Sequence, residues 1–225
     1  KAAGMCAYDV ELAWLSGMLH DVGRFEQIKR YNTFSDADSV DHAKFGADLL
    51  FKDGLISTFL KGMVKCTGYK PGALEDRYGS DGVFLYDRLN KSDMEMLELA
   101  IRCHNMYRIP QGLNRREQAF CNVLRDADKV DIFKVNIDTP LEEIYNTTTE
   151  ELMKSDITDE VLEAFDEEHC ILKAIRRTPA DTVIGHVSLA YELVYDESVR
   201  ITVEQGYLGK LMHFHSDNEE TNRKM

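Results

Sequence analysis

The stretch LAWLSGMLHDVGRFEQ, Leu12 to Gln27, decides the fold. Leu12, Leu15 and Leu19 recur at the spacing of one helical face. Trp14 and Met18 are expected to widen that face, while Ala13 and Gly17 leave room for a neighbouring helix. The helix then ends on His20 and Asp21, followed by Gly23 and Arg24. A helix that only fills a core has no need of that ending. Adjacent residues on a regular helix point about a hundred degrees apart, so His20 and Asp21 cannot share one ion in mid-helix. At a helix end the geometry relaxes, and Asp21 can share an ion with His20 or bridge two. Gly23 then gives a tight exit, and Arg24 can aim at an anion held by the metal. The same residues read also as a C-terminal histidine complementing the helix dipole, with Asp21 capping the next segment.

Working outward, helical spacing predominates. DHAKFGADLLFKDG predicts a helix over about 41–52, ending near Gly54, and LISTFLKGMVKCTG another, ending near Gly68. Tyr69 to Leu89 carries Pro71, Gly72, Gly79 and Gly82 and reads as a loop or excursion. KSDMEMLELAIRCHN offers Ser92 and Glu95 as a capping box. Asn114 is placed to cap a helix through Phe120, Val123, Leu124 and Ala127. Further helices are expected from Thr158 to about Arg176, from about Asp181 as N-cap, and over SVRITVEQGYLGKLMHF, where Val199 to Val203 would be a strand without a partner. The tail from Ser216 is polar and is expected to fray. The pattern predicts an all-α protein.

Composition narrows the functions. The chain has 225 residues, 44% of them hydrophobic, enough for one sizeable core or a core with an appendage. Forty acidic against 27 basic residues give a net charge of −13, which argues against broad nucleic-acid binding. A small phosphorylated substrate is still compatible, since a metal and one or two local cations can receive it. Five cysteines, an odd number without a CxxC pair, predict free thiols in a reducing, cytoplasmic compartment. No apolar stretch has the length of a membrane span. The start at Lys1, without a methionine or a signal peptide, reads as a chain that began earlier.

Histidines recur near the ends of successive apolar helices: His20 and His104 at C-terminal ends, His42 near an N-terminal one. Imidazole and carboxylate are good ligands for first-row divalent ions, and a helical bundle collects such ligands from facing helices. Gly46, close after His42, allows helices to approach. Asp126, Asp128 and Asp131 follow in LRDADKVDIF, with Asp128 four residues past Leu124 and so beside the packed face. Each also has a plain structural reading: a surface or dipole-complementing histidine, or an acidic turn paired with Arg125 and Lys129. His169 reads as a surface residue among acids, His186 as a packing histidine, and the His213/His215 pair as a poor catalytic candidate. Arg176 and Arg177 are expected to face solvent before any phosphate.

Taken in order, LSGMLHDVGRFEQ, DHAKFGADLL, IRCHNMYRIPQGL and LRDADKVDIF resemble the HD-domain metal-dependent phosphohydrolase superfamily, over at least Leu12 to Lys134. HD alone is a weak motif; four blocks in order are a strong one. The third block is faintly similar to the HD-GYP branch, although GYP itself is absent. The resemblance implies an HD-domain-like helical bundle over residues 1–150, missing its first helix, with a helical extension over 151–225. It implies His20, Asp21 and Asp128 as core metal ligands, His42 and His104 as ligands of a second ion, and Asp21 as the bridging carboxylate. No histidine precedes His20, so the family's upstream histidine has no counterpart here. The implied cofactor is one or two divalent ions (Fe, Mn, Zn, Ni, Co or Mg), with His-rich ligation disfavouring Mg alone.

The implied activity is hydrolysis of a small phosphate ester, a nucleotide among the candidates, in a bacterial protein. Asp21 and Arg24 would serve catalysis, with Lys44 assisting, because two ions stabilise charge on phosphoryl and leaving oxygens. A degenerate HD domain acting as a metal- or nucleotide-binding regulatory module is the alternative, and a di-iron oxygenase a more distant one. Oligomeric state is not legible.

Overall fold

A computed structural model describes residues 3–66 and 89–225. The excursion expected over Tyr69 to Leu89 lies outside them except for its last residue. The described residues are helical bundles without a strand. They form two compact units, residues 3–125 and 126–225. The boundary falls after Arg125; the expected division near residue 150 lies within the second unit.

The first unit holds α1 (Ala7–Leu19), α2 (Val22–Tyr31), α3 (His42–Ala47), a π-helical turn (Asp48–Lys52), α4 (Leu55–Cys66), α5 (Lys91–Cys103) and the start of α6 (Arg115–Asp138). Its core is built as the periodicity predicts: Leu12, Leu15 and Leu19 pack with Leu50, Leu97, Ile101, Phe120 and Leu124. Trp14 and Met18 do not join it. They are 56% and 63% exposed, because they lie on the flank of α1 turned from the leucine stripe. Among the described residues no helix packs at Gly17, where an added Cβ would meet nothing within 4 Å. Gly23 is not an exit turn either; it lies inside α2 and brings that helix onto α3. A Cβ there would stand 2.2 Å from the His42 carbonyl oxygen and 2.7 Å from the Gly46 nitrogen. Gly46 meets the expectation of close approach.

Two helix starts differ from the sequence reading. The N-cap of α5 is Asn90, not Ser92: Asn90 Oδ1 accepts from the Asp93 N–H at 3.0 Å, and Asp93 returns the bond to Asn90 N. Asp93 is buried and also binds Tyr8 Oη at 2.6 Å and Arg116 Nη1 at 2.8 Å, which fixes the cap two residues early. Asn114 caps α6 as expected, its Oδ1 accepting from Arg116 and Glu117. The acids in LRDADKVDIF form no turn; α6 runs straight through them.

The second unit continues α6 and adds α7 (Leu141–Tyr145), α8 (Thr149–Lys154), α9 (Asp159–Asp166), a 3₁₀ turn (Lys173–Ile175), α10 (Pro179–Val187), a second 3₁₀ turn (Ser188–Glu192), α11 (Asp196–Gln205), α12 (Tyr207–Met212) and α13 (Glu219–Lys224). The helix expected to reach Arg176 stops at Asp166, where Glu168 takes φ 55° and turns the chain. Thr178, not Asp181, is the N-cap of α10; Pro179 follows in the first turn, and Asp181 closes the capping box from inside. The tail does not fray. Asn218 caps α13, Thr221 is buried and donates to the Ser155 carbonyl at 2.7 Å, and Lys224 Nζ reaches the Ile157 carbonyl at 2.6 Å.

Candidate metal centre

Three imidazoles of the first unit converge because three helix boundaries do. His20 is the C-cap of α1, His104 the C-cap of α5, and His42 the first residue of α3. α3 packs against both α2 and α5. His42 and His104 are buried; His20 and Asp21 form the more open side, with side chains 21% and 45% exposed. The His104 ring lies 4.9 Å from that of His20 and 5.0 Å from that of His42, centroid to centroid.

Every ring has its Nδ1 committed. His20 Nδ1 donates to the Gly17 carbonyl at 2.7 Å, His104 Nδ1 to the Ile101 carbonyl at 2.7 Å, and His42 Nδ1 to Asp36 at 2.7 Å. These oxygens only accept, so each Nδ1 carries the hydrogen and each neutral ring presents its Nε2 lone pair to the centre. His42 Nε2 and His104 Nε2 then face one another at 3.1 Å. Asp21 Oδ1 lies 3.2 Å from His42 Nε2 and 3.6 Å from His104 Nε2, and Asp21 Oδ2 lies 3.7 Å from His20 Nε2. Asp21 Oδ1 is buried and receives no well-formed hydrogen bond. Lone pairs aimed at one another and at an orphaned carboxylate oxygen repel unless a cation lies among them.

The spacing fits such a cation. Donors about 2.1 Å from a divalent ion lie roughly 3.0–3.4 Å apart in octahedral or tetrahedral arrangements. Asp21, His42 and His104 form a donor set of that kind. The electrostatics agree. Burial acts to raise the Asp21 carboxyl, but the facing imidazoles of His104, His42 and His20 hold it far below the usual carboxylate range. Burial likewise acts to raise Asp36, yet His42, Gln27 and Arg24 draw it down to about 2. Burial lowers His42, and the facing Asp21 and Asp36 more than restore it, leaving it raised. The centre therefore attracts positive charge, which a divalent ion supplies.

The other expected residues stand around this centre. Arg24 does not point freely at an anion: its Nη1 bonds Asp36 at 3.1 Å, Gln27 at 3.2 Å and the Phe34 carbonyl at 2.7 Å, and its Nε lies 3.8 Å from Asp21 Oδ1. Lys44 is exposed and paired with Asp41 at 2.8 Å. Asp128 lies on α6 beyond the boundary, in the second unit. Its neighbour Asp126 is a structural acid there, accepting from the Val194 and Tyr195 N–H groups. Arg125 donates to the Met106 and Tyr107 carbonyls. Arg176 faces inward, bonding the Ile171 carbonyl at 2.6 Å, while Arg177 is exposed. His169 pairs with Glu167, and His186 is a packing histidine bonded to Asn136.

Sequence reasoning missed Asp36, Asp41, Gln27 and Asn105. Fully buried Gln27 holds the loop before α3 by donating to Asp36, Ser39 and the Val40 carbonyl at 2.9–3.0 Å. Asn105 donates to Asp41 at 3.0 Å, tying the His104 end of α5 to the N-cap of α3. The available signal was the run SDADSVDH, three acids within the six residues before His42.

No protein-family model, curated protein or solved structure matches the chain. Among the described residues, no helix is long and apolar enough to cross a membrane.

Proposed function

We propose that this protein is a divalent-metal-dependent hydrolase of a small phosphate ester, with an HD-domain-like core. One observation carries the reading: the Nε2 atoms of His42 and His104 converge on an orphaned Asp21 oxygen, with His20 Nε2 beside the other oxygen on the more open side. A divalent ion supplies Lewis acidity toward a phosphoryl group. The donors suit Fe, Mn, Zn, Ni or Co better than Mg alone. Asp21, partly exposed, would hold the ion together with the buried His42 and His104. Asp128, on the unbroken α6, is proposed as a further metal-ligating carboxylate. Arg24 Nη2 is the proposed contact for a phosphoryl oxygen. Lys44 can assist only by leaving Asp41. A nucleotide is the proposed substrate class, and the net charge of −13 makes neutralisation of an anion at the metal more important. A cytoplasmic, bacterial setting belongs to the same proposal.

The test joins metal analysis of the full chain to a panel of nucleoside monophosphates, cyclic nucleotides, guanosine alarmones and p-nitrophenyl phosphate. One or two ions per chain and hydrolysis of at least one ester are expected. Asp21→Ala should lower turnover at least about a hundredfold, the scale on which electrostatic catalytic groups act. Unchanged turnover in that variant overturns the assignment. Tight metal binding without hydrolysis would favour a regulatory module.

A further inference from the structure

Asp36 gathers donors from α2, α3 and the end of α5 around one carboxylate. Its Oδ1 accepts from His42 Nδ1 at 2.9 Å, Gln27 Nε2 at 2.9 Å and Arg24 Nη1 at 3.1 Å; its Oδ2 accepts from His42 Nδ1 at 2.7 Å and Asn105 Nδ2 at 3.4 Å. His20 and His104 fix their tautomers differently, each by donating to a main-chain carbonyl three residues earlier in its own helix. That device is closed to His42. It opens α3, so no helical turn precedes it to offer a carbonyl, and its Nδ1 depends on a side chain from the loop.

We propose that Asp36 is a positioning residue, which holds His42 as the Nδ1–H tautomer and thereby turns the Nε2 lone pair toward Asp21 and His104. The inference rests on the metal-centre reading above. Carboxylate-to-imidazole bonds of this kind orient metal-ligating histidines and raise their basicity. Asp36 touches neither ligand site nor substrate; it acts through His42. Arg24 and Gln27 anchor the carboxylate from α2, and Asn105 anchors it from the end of α5. Three segments that supply the centre thus meet at one side chain.

Asp36→Asn separates positioning from shape. Arg24 and Gln27 are donors, so they retain the amide oxygen on their side. The amide nitrogen then takes the place of Oδ2, the nearer of the two oxygens to His42 Nδ1 (2.7 Å against 2.9 Å), and so favours an accepting Nδ1. The His42 hydrogen moves to Nε2 and the lone pair is withdrawn from the centre. Long-range ¹H–¹⁵N spectra of the metal-free full chain, at a pH where His42 is neutral, read this directly. Zinc titration by calorimetry gives the second readout. Wild type should show His42 protonated at Nδ1 and bind zinc. Asp36→Asn should show it protonated at Nε2 and bind zinc about 10–100-fold more weakly, the usual cost of losing such a partner. Exposed Asp38, from the same loop, is the control, and Asp38→Asn should match wild type in both. A His42 Nε2–H tautomer in wild type overturns the inference even if the variant fails to fold. So does an Asp36→Asn variant that keeps the Nδ1–H tautomer or the wild-type affinity. Wild type that shows the Nδ1–H tautomer but binds no zinc overturns the metal reading instead, and the inference with it.

Discussion

Gly23 shows how little room single residues near the centre have. Its hypothetical Cβ meets main-chain atoms, the His42 oxygen at 2.2 Å and the Gly46 nitrogen at 2.7 Å, and main chain cannot rotate away as a side chain can. Gly23→Ala must therefore push α2 from α3. Overpacking of this kind costs about 1–3 kcal/mol, and with two backbone clashes the upper end is expected. Urea denaturation should show that loss, and zinc affinity should fall as well because His42 moves; an unchanged midpoint would mean that the two helices are not in contact at this point. Residue identity told only part of this. His20, Asp21, His42 and His104 stood out because imidazole and carboxylate at helix ends are uncommon needs of a core. Gly23 was legible as special, but its role was not: a glycine that turns a chain and one that admits a neighbour look alike in sequence. Asp36 was not legible, since an acid in a polar loop has no periodicity, and only folding sets it against a ring six positions on.

At the scale of elements, apolar spacing found α1, α3 to α6 and α9 to α12, but not α2, α7, α8 or α13, and not the helix ends. A helix starts where an orphan N–H finds an acceptor, and neighbouring candidates compete. Ser92 and Glu95 form a sound capping box in sequence, yet Asn90 and Asp93 win because Asp93 also binds Tyr8 and Arg116. Asn90→Ala should then cost about 1 kcal/mol of stability, while Ser92→Ala, at an exposed first-turn position, should stay within about 0.5 kcal/mol. Equal losses in thermal or urea unfolding would contradict the assigned cap. The same limit explains α1. Period 3.6 marks the leucine stripe, but it cannot say which flank a neighbour covers, so Trp14 and Met18 looked inward and lie outward. The C-terminal tail misled for a different reason. Its contacts are long-range hydrogen bonds, such as Thr221 to the Ser155 carbonyl, and no local pattern announces them.

Across the whole molecule, the two units differ in how much sequence could say of them. The first carries three of the four ordered blocks; the second carries most of the fourth and beyond it only helical spacing, so its fold class was legible and its polar interior was not. That interior contains a titratable group outside the metal centre. His186 Nδ1 lies 2.7 Å from Asn136 Oδ1, which also accepts from Tyr145 Oη at 2.7 Å, and the Tyr145 ring lies 5.7 Å from the imidazole. Asn136 Nδ2 is in turn bound to the Ile132 carbonyl at 2.8 Å, which fixes the amide oxygen toward His186 Nδ1. Burial, with the charges of Arg176 and Lys173 behind it, lowers the His186 pKa from 6.5 to about 3. The unfolded chain therefore binds a proton at this residue over a range in which the folded chain does not. Its contribution to stability is fully present above the unfolded value of 6.5 and is lost as pH falls toward about 3. Asparagine preserves a donor near Nδ1 but does not titrate. Urea unfolding at a series of pH values should show wild type losing stability more steeply than His186→Asn below pH 6.5, by a difference on the order of 1–3 kcal/mol at the acid end. Other groups titrate in the same range in both proteins and cancel in the comparison. Parallel pH profiles would show that His186 accepts its proton in the folded state, and that water or a carboxylate reaches the ring.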